Sequence, residues 1–270
     1  MDAMGDREGP RLVSSTALWR GDRQPAQVVQ VSQLEQDFQR APQQSESGPV
    51  AFDAEYSRWL EEHTKHINEL RTAVNSHGSD PELRSMVDSV IAHYDEVYSM
   101  KANAAKGNVE HLLSGMWKTP AERCSMWIGD FRPSLLLKLL VNQVEPLTDQ
   151  QLIGIVNLQQ SSQQAEDALS QAMEAWQQSL EETLAYGSLA TEGSSGDVAY
   201  NIGQMAMAMG ILGTLEGFLR QADNLRQQTL QHMHRILTIR QSARALLAIS
   251  EYFSRLRALS SFWLARPQEQ

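Results

Sequence analysis

The 270-residue sequence has a single cysteine, Cys124, and few aromatic residues, which make up 7% of the chain. One cysteine excludes an internal disulfide and a cysteine-rich zinc site. Strands prefer aromatic and β-branched residues, so the shortage of aromatics argues against a β-sandwich. No apolar run approaches the roughly 18 residues of a membrane span, and the first residues lack the basic-then-apolar pattern of a signal peptide. These absences favour a reducing intracellular compartment.

The net charge of −10 is unevenly distributed along the chain. Residues 51–186 hold 10 basic and 20 acidic residues, whereas residues 220–266 hold 8 arginines against Asp223 and Glu251. An acidic chain repels nucleic-acid phosphates, so non-specific DNA binding is not expected. The arginines have two interpretations: they pair with the acidic half of the same domain, or they contact an acidic partner. The first interpretation is favoured for any single arginine.

From Phe52 onward, apolar residues recur every three or four positions, which is typical of amphipathic helices. Residues 1–50 lack a sustained period and are predicted to be mostly disordered, with the remnant of a zipper at 31–41 that ends at Pro42. The sequence therefore predicts an all-α fold. We expect an antiparallel bundle of roughly six to eight helices over residues 53–266, preceded by the disordered segment.

Proline and capping residues mark where several helices begin. Asp80 is predicted to cap a helix that has a proline at its first position, and Thr119 to cap one that starts at Pro120. A further break is predicted at Thr238, although no glycine or proline forces one. Residues 187–197, rich in glycine and serine, are predicted to form a flexible loop.

Sequence motifs for catalysis are missing, among them a phosphate-binding glycine loop and a nucleophile elbow. We therefore predict that the chain is not an enzyme, has no catalytic residue and takes no cofactor. His63 and His66 have a spacing that suits metal ligands, but no His-Glu-x-x-His motif accompanies them. Ordinary surface or boundary histidines, and no metal site, are expected. Cys124 is interpreted as a buried structural cysteine because no general base lies at helical spacing from it.

Long segments between Val31 and Pro267 closely match one protein family. The most specific are Ala92–Glu96, His111–Cys124, Asn157–Gln171, Gly203–Gly210, Arg220–Gln228, Leu256–Ser261 and Trp263–Pro267. Through them the chain resembles the C-terminal part of plant TGACG-motif-binding (TGA) bZIP transcription factors, which carry the delay-of-germination domain.

The resemblance implies regulation of transcription in plant defence or development. It implies a nuclear location, with the cytoplasm as an alternative. The implied partners are ankyrin-repeat transcriptional co-regulators, glutaredoxin-type proteins and TGA relatives, with which the chain would form a homodimer or heterodimer. No membrane partner is expected, and DNA is expected to be reached only indirectly.

The sequence departs from the family on its N-terminal side. A bZIP protein needs a basic helix that enters the major groove, followed by a zipper. Residues 1–30 contain only four scattered arginines, and the zipper is reduced to 31–41. We therefore predict a regulator without autonomous TGACG binding and without a DNA-binding residue. The alternative is a truncated gene model or splice form of a sequence-specific DNA-binding TGA factor.

Two further departures lie inside the helical domain. Asp130 and Leu135 stand where relatives commonly have glycine and glutamate, a difference that is expected to alter one surface locally.

A hypothesis from another class is a small-molecule-sensing helical domain, because aromatic residues can line a cavity between helices. Simple core packing explains the same residues equally well. The candidate cavity residues are Trp117, Trp127, Phe131, Trp176 and Trp263.

Two faces are candidates for partner binding. One is the glutamine-rich helix around Gln159, Gln160, Gln163 and Gln164. The other, which we favour, is the arginine-rich end, because its surplus of six positive charges is the largest local departure from an acidic chain. The arginines are Arg220, Arg226, Arg235, Arg240 and Arg244. Met207 is expected at an adaptable surface, whereas Met205 and Met209 are expected to fill the core.

Overall fold

The computed structural model describes the backbone of residues 25–189 and 198–266 and the side chains of residues 48–182, 206–207 and 209–266. Over these residues the prolines and apolar stripes of the sequence correspond to seven helices. The helices are α1 (Pro25–Asn75), α2 (Asp80–Ser114), α3 (Pro120–Cys124), α4 (Pro133–Leu140), α5 (Asp149–Leu189), α6 (Val198–Ile236) and α7 (Ile239–Leu264). Over these residues there is no strand, only an isolated bridge between Trp127 and Asp130. The predicted all-α class is confirmed. No helix in this part of the chain is both long and apolar enough to cross a membrane.

Helix α1 begins before the main helical domain. The chain divides into two units, Met1–Gln44 and Ser45–Gln270, and of the first the structure describes only the helical backbone from residue 25. Because α1 continues through Pro42, the prediction that this proline ends a helix is wrong. A proline removes one backbone hydrogen bond and can kink a helix without ending it. Of the disorder predicted for residues 1–50, residues 25–50 belong to the helical backbone of α1 and residues 1–24 lie outside the described residues; of the loop predicted at 187–197, residues 187–189 belong to α5 and residues 190–197 lie outside the described residues.

The core of the second unit is built from the predicted apolar stripes. On α1 the stripe from Tyr56 to Leu70 is largely buried, and on α2 so is the stripe from Leu83 to Tyr98. Helix α2 packs against α6 and α7, and α5 packs against α4 and α6. Burial of one large apolar side chain contributes about 1.5–3 kcal/mol, so these stripes supply the main driving force for folding.

Two predicted helix starts are confirmed by reciprocal capping. At α3, the backbone N–H of Thr119 donates to the Glu122 carboxylate at 3.0 Å. At α7, the N–H of Gln241 donates to the Thr238 hydroxyl at 3.3 Å, and the N–H of Thr238 donates to the Gln241 side-chain oxygen at 2.9 Å. Threonine with a Glu or Gln three residues later satisfies backbone donors that a helix start leaves unpaired.

Three local predictions are wrong. Ser79, not Asp80, caps α2, because the Ser79 hydroxyl accepts the Glu82 N–H at 3.4 Å and Asp80 is already helical. Cys124 is exposed because it ends the short helix α3 on the side away from the buried Glu122. Met209 is 67% exposed, since among the described side chains of α6 the first that packs against the core is the half-buried Leu215.

Candidate functional site

Five charged side chains meet inside the helical domain and form an interior charge cluster. They are Lys101 on α2, Lys118 and Asp130 on the chain flanking α3, and Asp223 and Arg226 on α6. Lys101 Nζ lies 2.6 Å from Asp223 Oδ1, and Lys118 Nζ lies 3.1 Å from Asp130 Oδ1. Arg226 donates to Asp223 Oδ1 at 2.6 Å. Buried charges are tolerated when they are paired in this way.

Burial and pairing act against each other in this cluster. Burial alone would raise the pKa of Asp130, but Lys118, Lys101 and Arg226 outweigh it and lower that pKa to about 2. Burial lowers the pKa of Lys101 even though Asp223 opposes the shift. For Lys118 burial also acts downward, but Asp130 prevails and the pKa rises. Asp130 is therefore a carboxylate at neutral pH.

The interior charge cluster fixes the turn between α3 and α4. The Arg226 guanidinium donates to the carbonyl oxygens of Phe131 at 2.8 Å and Ile128 at 2.9 Å, and also to that of Trp127. Gly129, at φ 76°, lies in the left-handed region and leaves no room for a Cβ against α6. One arginine on α6 thus satisfies three carbonyls of a buried turn that otherwise has few backbone partners.

This arrangement corrects two predictions. Arg226 is fully buried, so it cannot contact a partner while the domain is folded. Asp130 is only 6% exposed, so its difference from relatives changes the interior and not a surface. Leu135, by contrast, is 41% exposed on α4.

The remaining predicted arginines divide between two places. Arg220 pairs with Glu216 one turn earlier on α6. Arg235, Arg240 and Arg244, which we call the corner arginines, surround the junction of α6 and α7. On a helix, Arg220 stands about 22 Å from Arg235, so it does not share their surface.

The corner arginines differ in how firmly they are held. Arg240 lies 2.9 Å from an Asp80 carboxylate oxygen, and Arg244 donates to the Glu145 carbonyl at 2.9 Å. Arg235 is exposed in the last turn of α6. The pair of Arg240 with Asp80 supports the interpretation that single arginines pair with the acidic half of the domain.

The five aromatic residues that were candidates for a common cavity do not share one environment, although Trp127 and Phe131 both lie against the buried Arg226 guanidinium, with ring centroids 5.4 and 5.7 Å from it. Trp117 and Trp127 are buried, each with its indole N–H donated to a neighbouring oxygen. Trp176 is half-buried, and Trp263 is 58% exposed at the end of α7. Phe131 lines an internal cavity of about 30 Å³. Space of that size holds water, whereas organic ligands need several hundred Å³.

Two histidines lie inside the domain, so the expectation of surface or boundary histidines is wrong for them. His63 on α1 and His93 on α2 both stack on Trp59, with ring centroids 4.9 Å apart in each case. Burial, together with His93, lowers the pKa of His63 to about 3. Glu62, His93 and Glu96 also bring three potential metal-ligand atoms within 4.8 Å of one another. Sequence reasoning missed His93 because its neighbours lie about thirty residues away on another helix.

Comparison with known proteins gives a consistent family. A family model described as "DOG1: Seed dormancy control" matches residues 66–142. The tobacco "TGACG-sequence-specific DNA-binding protein TGA-2.1" is 75% identical over 256 residues, which are 90% of this chain and 56% of that protein. Rice "Transcription factor TGA2.2" is 66% identical, covering 89% of this chain and 76% of its own length.

A third relative extends the comparison. Arabidopsis "Transcription factor TGA2" is 64% identical over 255 residues, which are 89% of this chain and 77% of that protein. The chain spans about half the length of several relatives, such as 54% of rice "Transcription factor TGAL1". Identity of this level over nearly the whole chain makes the relationship unambiguous. The chain belongs to the family of TGA transcription factors.

Proposed function

We propose that this chain regulates transcription through protein contacts of its helical domain, residues 53–266, and does not bind the TGACG element by itself. Family membership supports the regulatory role and a nuclear location. The observation that carries the proposal is that basic side chains of this domain already have partners within it. Arg226 and Lys101 are buried and paired with Asp223, and Arg240 pairs with Asp80. With 20 acidic against 10 basic residues over 51–186, the domain repels DNA phosphates.

The corner arginines are the proposed partner surface, and the exposed Gln160, Gln163 and Gln164 on α5 are the second candidate. Partners suggested by the family resemblance are ankyrin-repeat co-regulators, glutaredoxin-type proteins and TGA relatives, in plant defence or development. A cluster of positive charge at the end of an otherwise acidic domain steers an acidic partner toward one face.

DNA binding is tested by a gel shift with the purified 270-residue chain on a TGACG duplex. We expect no retarded band at a salt concentration at which full-length tobacco TGA-2.1 shifts the same duplex. A TGACG-specific band from this chain alone would contradict the proposal, and the alternative of a DNA-binding factor would then hold.

The partner surface is tested by the double variant Arg235→Glu/Arg240→Glu. We expect capture of an ankyrin-repeat co-regulator to fall at least about tenfold, while circular dichroism stays unchanged because both side chains are exposed. The matched control is Arg220→Glu/Arg255→Glu, which reverses two exposed arginines that pair only with a glutamate one turn earlier. Unchanged capture by the first variant, or a loss confined to the control, would exclude the corner arginines.

A further inference from the structure

Helices α1 and α2 bring together three side chains of the types that bind transition metals. Glu62 comes from α1, and His93 and Glu96 come from α2, with their ligand atoms all within 4.8 Å of one another. His93 and Glu96 are three residues apart, which places both on one face of α2. The two helices thus contribute to one place on the surface of the domain, which we call the α1–α2 histidine–carboxylate site.

His93 is already oriented as a metal ligand would be. Its Nε2 lies 3.1 Å from the backbone carbonyl oxygen of Trp59, which can only accept, so Nε2 carries a proton. In the neutral ring this leaves the lone pair on Nδ1, and Nδ1 points at the carboxylate of Glu96, 2.9 Å away. Metal-binding histidines typically donate their other ring N–H to a carbonyl or carboxylate in this way.

The contact between His93 and Glu96 requires a cation. A lone pair on Nδ1 and a carboxylate oxygen are both acceptors, so either a proton or a metal ion must lie between them. The ring cannot turn away, because His93 is 2% exposed and packs against both Trp59 and His63. The geometry therefore holds a fixed nitrogen donor beside a carboxylate.

The two carboxylates have the freedom that a metal ion needs to draw its ligands together. Glu62 is exposed, and the Glu96 side chain is 63% exposed. Tetrahedral Zn²⁺ with ligands at about 2.1 Å has its donor atoms about 3.4 Å apart, so the separations here must close by at most about 1.4 Å. Side-chain rotation of exposed glutamates provides this shift.

His66 stands beside these three groups. It follows Glu62 by four residues and so shares a face of α1, and its ring centroid lies 5.0 Å from that of His93. Its Nδ1 is buried and has no hydrogen-bond partner within the part of the chain that the structure describes. A buried polar atom without a partner is costly, so this nitrogen is a second unsatisfied polar group next to the site.

We propose that Glu62, His93 and Glu96 bind a divalent transition-metal ion. An imidazole nitrogen with two carboxylates suits Zn²⁺, whereas Ca²⁺ and Mg²⁺ require oxygen ligands alone. The bound ion would link α1 to α2 beside the Trp59 stack. It would therefore stabilise the folded chain by an amount that grows with the logarithm of its concentration above the dissociation constant.

The test is a calorimetric titration of the metal-stripped 270-residue chain with Zn²⁺. The test variants are Glu62→Gln and Glu96→Gln, and the control is Glu61→Gln, which removes the same charge from the neighbouring exposed position on α1. We expect one equivalent of Zn²⁺ to bind the unaltered chain and the control equally. Each test variant should bind at least about tenfold more weakly, in line with the loss of a metal ligand.

Thermal melting gives a second readout that does not depend on heats of binding. Zn²⁺ should raise the melting temperature of the unaltered chain and of Glu61→Gln, and raise it less in Glu62→Gln and Glu96→Gln. Binding that is equal in all three glutamate variants would show that Zn²⁺ is held by other histidines and would overturn the site. Absence of stoichiometric binding to the unaltered chain would overturn it as well.

Discussion

Asp130 lies beside two buried ammonium groups near the α3–α4 turn. Its carboxylate lies 3.1 Å from Lys118 Nζ and 3.8 Å from Lys101 Nζ. Its pKa is lowered to about 2, so the side chain stays ionised well below neutral pH. Its carboxylate also accepts the Phe131 backbone N–H at 3.0 Å. Removing the charge would leave two buried ammonium groups without this partner.

We therefore expect Asp130→Asn to lower the free energy of unfolding by about 3–5 kcal/mol, the usual cost of breaking a buried ion pair. Urea unfolding at pH 7, followed by circular dichroism, measures the change. The control is Asp167→Asn, an exposed aspartate on α5, which should change stability by less than about 0.5 kcal/mol. Equal small effects of both substitutions would show that the interior charge cluster contributes little.

The same residue predicts a pH dependence. Its pKa in the folded state, about 2, lies below the ordinary value of 3.8. The charged carboxylate therefore stabilises the fold above about pH 4, and this contribution is lost as the pH falls toward 2. We expect the stability difference between the unaltered chain and Asp130→Asn to shrink by about 1 kcal/mol between pH 6 and pH 3. A difference that stays constant over this range would contradict the assignment.

At the scale of a helix, the junction of α6 and α7 depends on one capping threonine. Neither glycine nor proline separates these two helices, and α7 begins directly after Thr238. We expect Thr238→Ala to cost about 1 kcal/mol, because it removes the hydroxyl that accepts a backbone N–H at the helix start.

The control for this substitution is Thr64→Ala. Thr64 is exposed in the middle of α1, where its hydroxyl donates to the Leu60 carbonyl at 2.8 Å. Alanine is the better helix former at such a position, so no loss of stability is expected. The melting temperatures of the two variants are compared by thermal unfolding. Equal melting temperatures would exclude a capping role for Thr238.

Across the whole molecule, the helices differ greatly in how much of their surface is buried. Helix α2 has 11 buried residues, distributed along its length. Among the described side chains of α5, only Ile155, Ser162 and Glu166 are buried, and all of them precede residue 167. Local opening is governed by the buried contacts that are lost, so protection against hydrogen exchange should follow this difference.

We expect amides of α2 between residues 87 and 98 to exchange at least about tenfold more slowly than amides of α5 between residues 168 and 180, a difference of about 1.4 kcal/mol in opening free energy. Hydrogen exchange followed by mass spectrometry at pH 7 measures both segments in one experiment. Uniform protection of the two helices would show that the domain opens only as a whole.

Helical periods, and the capping signals at Thr119 and Thr238, predict the structure correctly, whereas the local signals at Asp80 and Pro42 do not. The buried stripes of α1 and α2 follow from apolar residues at intervals of three and four, because that spacing places them on one helix face. Thr119 and Thr238 were identified as helix starts because a cap and its partner lie within four residues. The family could also be recognised from the sequence, since its specific segments are contiguous.

Packing between helices decided the rest. Arg226 has Asp223 three residues before it, but no local signal shows that Arg226 satisfies the carbonyls of a buried turn while Arg240 reaches Asp80 on the exterior. His93 and Glu62 belong to different helices, so their proximity depends on how α1 lies against α2. A helical period shows which residues share a face, but only the packed domain determines what that face meets. For this reason the sequence by itself predicts the helices, whereas the partners of the interior charges and the histidine–carboxylate site are determined only by the tertiary structure.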